Sequence, residues 1–294
     1  MSGPAQFASV DLYLDLLKRC LTDLIHAEHP LANAVPAGTA ARRPLLRRAV
    51  RLADKVAQRF GLIVAEYQRT PFASHAGLAS AQVRELREVG ADWPPRAHTM
   101  IGLRRLENIQ SCVEAVLRDG IPGDLLEAGV WRGGASIFMR GILAAYSDMT
   151  RQVWLADSFQ GLPPPDAERY PADRDFDLST MDQLAISRSE VEANFRAYAL
   201  LDERVRFLEG FFADTLPSAP VDRLSVLRLD GDLYASTMQV LEPLYDRLSP
   251  GGFVIVDDYS LPPCRAAIND FRAARGITDP IETVDWTGIF WRKA

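Results

Sequence analysis

Two apolar segments each end in aspartate, and these residue types at this spacing are typical of a divalent metal site. The first, residues 226–232, ends in Asp230-Gly-Asp232, and the second, residues 252–258, ends in Asp257-Asp258. The amphipathic segment 236–248 between them predicts a crossover helix, which makes the two strands parallel neighbours. Asp230, Asp257 and Asp258 should then converge, and unpaired carboxylates that close repel unless a cation joins them. The alternative is that each aspartate only caps a helix or turn.

A glycine-rich turn after an earlier apolar segment is a second candidate site. Residues 124–129 predict a strand that ends in Glu127-Ala-Gly129, and Trp131 and Gly133 follow. Ligands of doubly wound sheets bind beyond the carboxyl ends of the strands, and glycines allow the backbone to approach them. Asp157, at the end of the next predicted strand, is placed to hold two ribose hydroxyls.

The charge of this turn indicates the kind of ligand. The glycines do not form the dinucleotide pattern GxGxxG, and Glu127 would repel a pyrophosphate but favour a cationic amino-acid or sulfonium ligand. S-adenosylmethionine has both a positive sulfur and a ribose. Four aromatic residues could form a wall for its adenine or could belong to the core: Trp131, Phe159, Phe211 and Phe212.

Helices and strands alternate from Ala97 onward, and they must position these residues. Helices are predicted for residues 98–117, 135–146, 236–248 and 264–275, with a further helix that ends near Tyr198. Strands are predicted for residues 124–129, 152–157, 204–210, 226–232 and 252–258, with short strands near 281–284 and 288–291. The alternation predicts an α/β fold with a parallel sheet. A polar loop from Gly161 to about Ser187 is long enough to be functional or mobile.

The N-terminal third follows a different pattern. Residues 10–25 have apolar side chains at helical spacing and predict a docking helix, and a second helix is expected from Pro44 to Phe60. The arginine-rich face of that second helix could meet a membrane or polyanion, but we expect it to be solvated or paired with acids. Prolines and glycines make residues 69–97 look irregular, and this segment could form a lid. We therefore expect a helical and lid segment at 1–96 and an α/β domain at 97–294.

Composition limits the classes of function. The 294 residues, 48% of them hydrophobic, suffice for one large domain with an accessory segment. A net charge of −6 argues against nucleic-acid binding, which needs a basic surface. Three scattered cysteines fit a reducing cytoplasm, and we find neither a signal peptide nor an apolar run of membrane-spanning length. The expected partners are small molecules, with no nucleic acid and no membrane, and undocked N-terminal helices would favour a homo-oligomer.

Five motifs in fixed order carry a resemblance to one family. They are Ala97-His-Thr-Met-Ile-Gly102, Leu126-Glu-Ala-Gly-Val-Trp-Arg-Gly-Gly134, Trp154-Leu-Ala-Asp-Ser-Phe-Gln-Gly161, Arg228-Leu-Asp-Gly-Asp232 and Val256-Asp-Asp-Tyr259. Together they resemble the macrocin and mycinamicin O-methyltransferases, the TylF/MycF family. The resemblance implies a class I S-adenosylmethionine-dependent methyltransferase, Rossmann-like, with a mostly parallel seven-stranded sheet and an N-terminal helical extension. It also implies use of Mg²⁺ and methylation of a sugar hydroxyl on an antibiotic-type natural product.

The resemblance further implies residue roles. Asp230, Asp257 and Asp258 look like the metal ligands, with Asp230 also the general base. The cofactor contacts would be Thr99, Met100, Glu127, Gly129, Trp131, Gly133, Asp157, Ser158 and Gly210, and the acceptor would lie near Trp93 and Met100. His98 is the other candidate base, because its unperturbed pKa suits that task, although a histidine that begins a helix can be purely structural.

Extra sequence between about Ala27 and Asp92 departs from the shorter family members, so the sugar, and whether the acceptor is a glycoside, stay open. A metal-dependent methyltransferase of a catechol or other vicinal diol would use the same chelation chemistry. A protein that only binds the cofactor is the alternative from another class. The three aspartates argue against it, because binding alone needs no metal.

Overall fold

The structure, a computed structural model, describes residues 4–26, 34–36, 65–67, 80–92, 94 and 96–294. By its internal contacts the chain divides into one unit of residues 1–18 and 103–294 and another of residues 19–102. The predicted helix from Pro44 to Phe60, with its arginine face, and the predicted acceptor residue Trp93 lie outside the described residues. The predicted boundary between a helical and lid segment at 1–96 and an α/β domain at 97–294 stays a prediction.

The N-terminal helix α1 (Pro4–Leu21) begins in the larger unit and docks there as the sequence predicts. Its Leu14 and Leu17 are buried. A Cβ atom on Gly141 would lie 2.5 Å from Leu17 Cδ2 and 3.4 Å from the Tyr13 hydroxyl, so the glycine leaves room for these two side chains of the helix. Among the residues that the structure describes, no helix has the length and hydrophobicity needed to span a bilayer.

The unit of residues 19–102 contains two short antiparallel strands, β1 (Ala34–Pro36) and β2 (Ala65–Tyr67), and the helix α2 (Ser80–Glu88). The helix shows that the predicted irregularity of residues 69–97 is wrong in part. Val83 and Arg87, one turn apart, are 6% and 2% exposed, and Arg87 Nε donates to Asp92 Oδ2 at 3.0 Å. Nearby glycines and prolines hid this short amphipathic pattern.

A seven-stranded sheet forms the centre of the larger unit. Its strands are β3 (Asp124–Ala128), β4 (Val153–Asp157), β5 (Val205–Glu209), β6 (Leu224–Leu229), β7 (Leu248–Val256), β8 (Glu282–Thr283) and β9 (Ile289–Arg292). They lie in the order β5-β4-β3-β6-β7-β9-β8, parallel from β5 to β7, with β9 antiparallel to both of its neighbours. The predicted parallel α/β sheet is confirmed, and the strand order reverses at β3.

Six helices accompany this sheet: α3 (Leu103–Arg118), α4 (Gly134–Ala145), α5 (Arg188–Ala197), α6 (Phe212–Thr215), α7 (Tyr234–Leu244) and α8 (Pro262–Ala274). The apolar residues Leu227, Val254 and Leu241 are fully buried in one core cluster that joins β6 and β7 to the crossover helix α7. Each buried side chain of this size stabilises the fold by about 1.5–3 kcal/mol. Because side chains alternate along a strand, burial of Leu227 and Leu229 on this side directs Arg228 to the opposite face.

Candidate active site

Five strand ends are joined along one edge of the sheet by four backbone hydrogen bonds. The N–H of Gly210 donates to Asp157 O at 2.9 Å, that of Gly129 to Ala156 O at 2.9 Å, that of Asp230 to Ala128 O at 2.8 Å, and that of Asp257 to Leu229 O at 2.9 Å. The carboxyl ends of β5, β4, β3, β6 and β7 therefore lie on one continuous edge. The strand order reverses there, which is where ligands of doubly wound sheets bind.

Asp230, Asp257 and Asp258 meet at this edge. One carboxylate oxygen from each lies within 4.8 Å of the others, which confirms the predicted convergence. Asp257 is buried, whereas Asp230 and Asp258 are half-buried. Mg²⁺ binds oxygen at about 2.1 Å, so oxygens on opposite sides of the ion lie about 4.2 Å apart. The oxygen donors and their spacing fit such a hard divalent cation.

Two arginines pair with this cluster, which corrects the assumption that the carboxylates are unpaired. Arg228 donates from Nη1 to Asp230 Oδ2 at 2.9 Å and from Nη2 to Asp257 Oδ1 at 2.5 Å. Arg105 Nη1 donates to the other oxygen of Asp257. In the described part of the chain Asp258 has no guanidinium partner, and its Oδ2 accepts from the Asp232 N–H at 3.2 Å.

Negative charge remains in excess in spite of the two arginines. Six carboxyl groups surround them: Glu127, Asp230, Asp232, Asp257, Asp258 and Asp285. Burial and the neighbouring Asp232 and Asp230 hold the pKa of the Asp258 carboxyl well above its usual range. Burial and Asp257 likewise raise the pKa of Asp230, in spite of Arg228. A bound cation would relieve this repulsion, so both the charge of the cluster and its oxygen donors suit a divalent metal ion.

Asp232 is a site residue that our sequence reasoning did not single out. It has a φ of 60°, and burial together with Asp230 and Asp257 raises its pKa to about 7. A carboxyl with such a pKa can accept a proton near neutral pH. The sequence signal that could have identified Asp232 is its place in the Asp230-Gly-Asp232 motif.

The glycine turn after β3 packs against the chain's own atoms. Gly129 has a φ of 87°, and a Cβ atom there would lie 1.7 Å from the carbonyl oxygen of Asp230. Gly133, at a φ of 85°, would place a Cβ atom 2.8 Å from Val191 Cγ1. The glycines make room here for neighbouring protein atoms, and the predicted contacts of Gly129 and Gly133 with a cofactor stay predictions.

Glu127 lies within β3, inside the predicted strand, and it is not part of the turn to which we assigned its charge. It is 2% exposed, and its oxygens accept from Arg228 Nη1 at 2.6 Å and from the Ser136 hydroxyl. Burial raises the pKa of Glu127 to about 7, although Arg228 and Ser136 lower it in part. The predicted contact of Glu127 with a cofactor stays a prediction.

Asp157 and Ser158 organise the adjacent turn. Asp157 Oδ2 accepts from the Val130 N–H at 2.8 Å and its Oδ1 from the Phe159 N–H at 2.7 Å, while burial raises its pKa. The Ser158 hydroxyl donates to Gly161 O at 2.6 Å. At the end of β5, Gly210 has a φ of 142°, a conformation that favours glycine. The roles of all three in cofactor binding stay predictions.

The four aromatic candidates differ in their surroundings. Phe159 is 7% exposed and packs against Phe207, with ring centroids 5.9 Å apart, as a core residue does. Trp131, Phe211 and Phe212 are half-buried, and the Trp131 indole N–H donates to Gln183 O at 2.9 Å.

The remaining predicted residues belong to the unit of residues 19–102. The His98 N–H donates to Leu21 O at 2.8 Å, the Thr99 hydroxyl accepts from the Ile101 N–H at 3.3 Å, and Met100 is half-buried. Their catalytic, cofactor and acceptor roles, and that of Trp93, stay predictions.

The long loop between β4 and α5 is fastened beside the acidic cluster. Asp173 of this loop is fully buried, and its two oxygens accept from the N–H groups of Tyr234 at 2.6 Å and Ala235 at 3.0 Å. These groups begin α7, directly after the Asp230-Gly-Asp232 turn. The sequence carries no signal for this contact, because its partners lie 61 and 62 residues apart.

Comparison with known sequences identifies relatives of this chain. The model of the macrocin O-methyltransferase (TylF) family matches residues 10–293. The chain is 48% identical over 283 residues to the 8-demethyl-8-(2,3-dimethoxy-alpha-L-rhamnosyl)-tetracenomycin-C 4'-O-methyltransferase of Streptomyces olivaceus, covering 96% of this chain and 92% of that protein. It is 46% identical over 288 residues to the mycinamicin III 3''-O-methyltransferase of Micromonospora griseorubida, covering 97% of each.

Solved structures give the same result. The O-methyltransferase NovP matches with a TM-score of 0.77 at 43% identity, covering 97% of this chain and 99% of that one. The calicheamicin methyltransferase CalS11, at 17% identity and a TM-score of 0.53, shares the fold. The fold is that of class I S-adenosylmethionine methyltransferases, and the chain belongs to the macrocin O-methyltransferase (TylF) family.

Proposed function

We propose that this O-methyltransferase uses S-adenosylmethionine and Mg²⁺ to methylate a sugar hydroxyl of a natural-product glycoside. The observation that carries the proposal is the convergence of Asp230, Asp257 and Asp258 at the edge where the strand order reverses. The relatives support the acceptor class, because two of them are named for a rhamnosyl tetracenomycin and for mycinamicin III. We further propose a cytoplasmic location, which the scattered cysteines favour.

The residues of the site would divide the work. Asp230, Asp257 and Asp258 would hold the metal ion, and the glycine turn with Asp157 and Ser158 would hold the methyl donor. When bound, Mg²⁺ supplies a Lewis acid that makes an acceptor hydroxyl more acidic, and S-adenosylmethionine supplies a methyl group on a positively charged sulfur.

The proton of the acceptor hydroxyl then needs a nearby carboxylate. Asp230 is the proposed general base, and Asp232 is a second carboxylate at the same place whose raised pKa suits the task. The edge of the sheet would align the acceptor oxygen with the methyl group, and such alignment is worth up to about 7–11 kcal/mol.

The variant Asp230→Asn tests the proposal. We expect it to abolish methylation and to leave the affinity for S-adenosylhomocysteine nearly unchanged, because the glycine turn is intact. Product would be measured by mass spectrometry on macrolide, rhamnosyl and catechol acceptors, and affinity by calorimetry. The variant Asp232→Asn tests whether Asp232, instead of Asp230, takes the proton. The variant Asp246→Asn changes an exposed carboxylate and is the control that should keep full activity.

Chelation provides an independent arm. Excess chelator should stop the reaction and added Mg²⁺ should restore it. Full methylation activity of the wild type in excess chelator would exclude the proposed mechanism. Full activity of Asp230→Asn in the absence of chelator would exclude it as well. Methylation of catechols but of no glycoside would instead support the vicinal-diol alternative.

A further inference from the structure

Arg228 is the buried cation at the centre of the acidic cluster. Its side chain is 1% exposed and lies in the otherwise apolar stretch of β6 between Leu227 and Leu229. Its guanidinium donates to Glu127 at 2.6 Å, to Asp230 at 2.9 Å and to Asp257 at 2.5 Å. A guanidinium is a planar fork, so each of these bonds fixes a direction as well as a charge. The orientations of Asp230 and Asp257 are therefore tied to one side chain.

Arg105 of α3 fixes the remaining oxygen of Asp257. Its Nη1 donates to Asp257 Oδ2, whereas Arg228 uses Oδ1. Arg105 is itself held by Asp285, whose Oδ2 accepts from Nε at 3.0 Å and whose side chain is 1% exposed. A carboxylate held through both oxygens cannot rotate, so its remaining lone pairs keep set directions.

The same row of bonds continues along the sheet from β6 to β3. Glu127 lies directly opposite Arg228 in the register of β3 and β6, and its second oxygen accepts from the Ser136 hydroxyl in the first turn of α4. Arg228 is thus held by a residue outside the metal ligands. The bonds from β3 and α4 therefore hold the fork of Arg228 through a residue that is not a proposed metal ligand.

Two roles for these arginines lead to opposite expectations. If they only neutralise charge, they oppose a second cation at the same carboxylates, and their loss should tighten metal binding. If they orient the ligands, their loss should weaken metal binding in spite of the removed repulsion. Residues that orient metal ligands typically contribute 10–100-fold to metal affinity.

We propose that Arg228, together with Arg105, is a positioning residue of the metal site, which holds Asp230 and Asp257 in the orientation that binds a divalent cation. The inference rests on the proposed metal dependence. It adds that the ligand set is assembled by two buried guanidiniums before the metal arrives. Neither arginine has to touch the metal, the methyl donor or the acceptor.

The test is a titration of the protein with Mn²⁺ in the absence of substrate. Electron paramagnetic resonance measures the concentration of free Mn²⁺ at each step of the titration. Arg228→Lys keeps the charge but loses the fork, and we expect its dissociation constant for Mn²⁺ to rise about 10–100-fold. Arg105→Lys should raise the constant less, because Arg105 contacts only one of the ligands. Arg140→Lys is the matched control, since Arg140 is also buried but pairs with Asp202, and its Mn²⁺ affinity should match the wild type.

Circular dichroism in chelator shows whether each variant is folded. Folded Arg228→Lys and Arg105→Lys proteins that bind Mn²⁺ as tightly as the wild type, or more tightly, would overturn the inference. If Arg228→Lys does not fold, the less buried Arg105→Lys decides by the same criterion. A wild type that binds no Mn²⁺ would overturn both the inference and the metal part of the proposed function, whereas unaffected variants overturn the inference alone.

Discussion

Gly129 occupies a position where the chain tolerates no side-chain atom. Its φ is 87°, and a Cβ atom would lie 1.7 Å from the carbonyl oxygen of Asp230, a backbone atom that cannot swing away. Because Asp230 is a proposed metal ligand, the glycine turn and the acidic cluster share this contact. A single residue thus links the two halves of the site.

The variant Gly129→Ala should therefore lose more stability than the conformation alone explains. A positive φ costs a residue other than glycine about 1–2 kcal/mol. Gly120→Ala is the matched control, because Gly120 has a φ of 64° and no atom within 4 Å of a Cβ atom. Urea unfolding should show the larger loss for Gly129→Ala, and equal losses for the two variants would contradict the proposed steric conflict.

At the scale of elements, the loop between β4 and α5 supplies the cap of a helix that follows it much later in the chain. Leu233, which precedes α7, offers no side-chain cap, and the buried Asp173 accepts from the first two N–H groups instead. Unfilled donors at a helix start are costly, so this carboxylate stabilises α7 and holds the loop beside Asp230-Gly-Asp232.

We predict that Asp173→Ala destabilises the protein by about 1–3 kcal/mol, because two buried donors lose their acceptor. Hydrogen exchange followed by mass spectrometry should become faster in the first turn of α7 and in the loop. The control Asp177→Ala removes an exposed carboxylate that bonds only to nearby Ser179, and exchange in α7 should not change. Unchanged exchange in α7 of Asp173→Ala would show that the loop does not hold the helix.

At the scale of the whole molecule, the acidic cluster should make stability depend on pH in the absence of metal. Burial is the first cause that raises the pKa of Asp230, Asp232 and Asp258, and Asp232 reaches about 7. Between their usual pKa values and these raised ones, the folded chain binds more protons than the unfolded chain. The contribution of these groups to the stability of the folded protein is therefore greatest below about pH 4, and it declines as pH rises through 7.

Thermal unfolding in chelator from pH 5 to pH 8 should accordingly show a falling melting temperature. Added Mg²⁺ should raise the melting temperature more at pH 8 than at pH 5, because more of the carboxylates are ionised there, and Asp232→Asn should flatten the decline. The control Asp246→Asn should keep the pH dependence of the wild type. A melting temperature that rises with pH in chelator would contradict the raised pKa values.

Parts of the site could be predicted from sequence because they depend on local pattern. Aspartates at the ends of two apolar strands, with one amphipathic helix between them, must converge when the crossover is right-handed and short. The structure confirms this for Asp230, Asp257 and Asp258. The helix α2 was missed because it is short and lies in a segment with several prolines and glycines, where local signals favour a loop.

Other parts depend on register and packing, which no local pattern contains. Arg228 faces Glu127 because β3 and β6 pair with those two residues opposite each other. Asp173 reaches α7 because the long loop folds back over it. The amino-acid sequence by itself determined the parallel sheet, the metal-type donors and the edge where they gather, since alternation and strand ends follow from chain geometry. Only the tertiary structure decided which charges pair there, because a buried guanidinium bonds whichever carboxylates the neighbouring strands bring within about 3 Å.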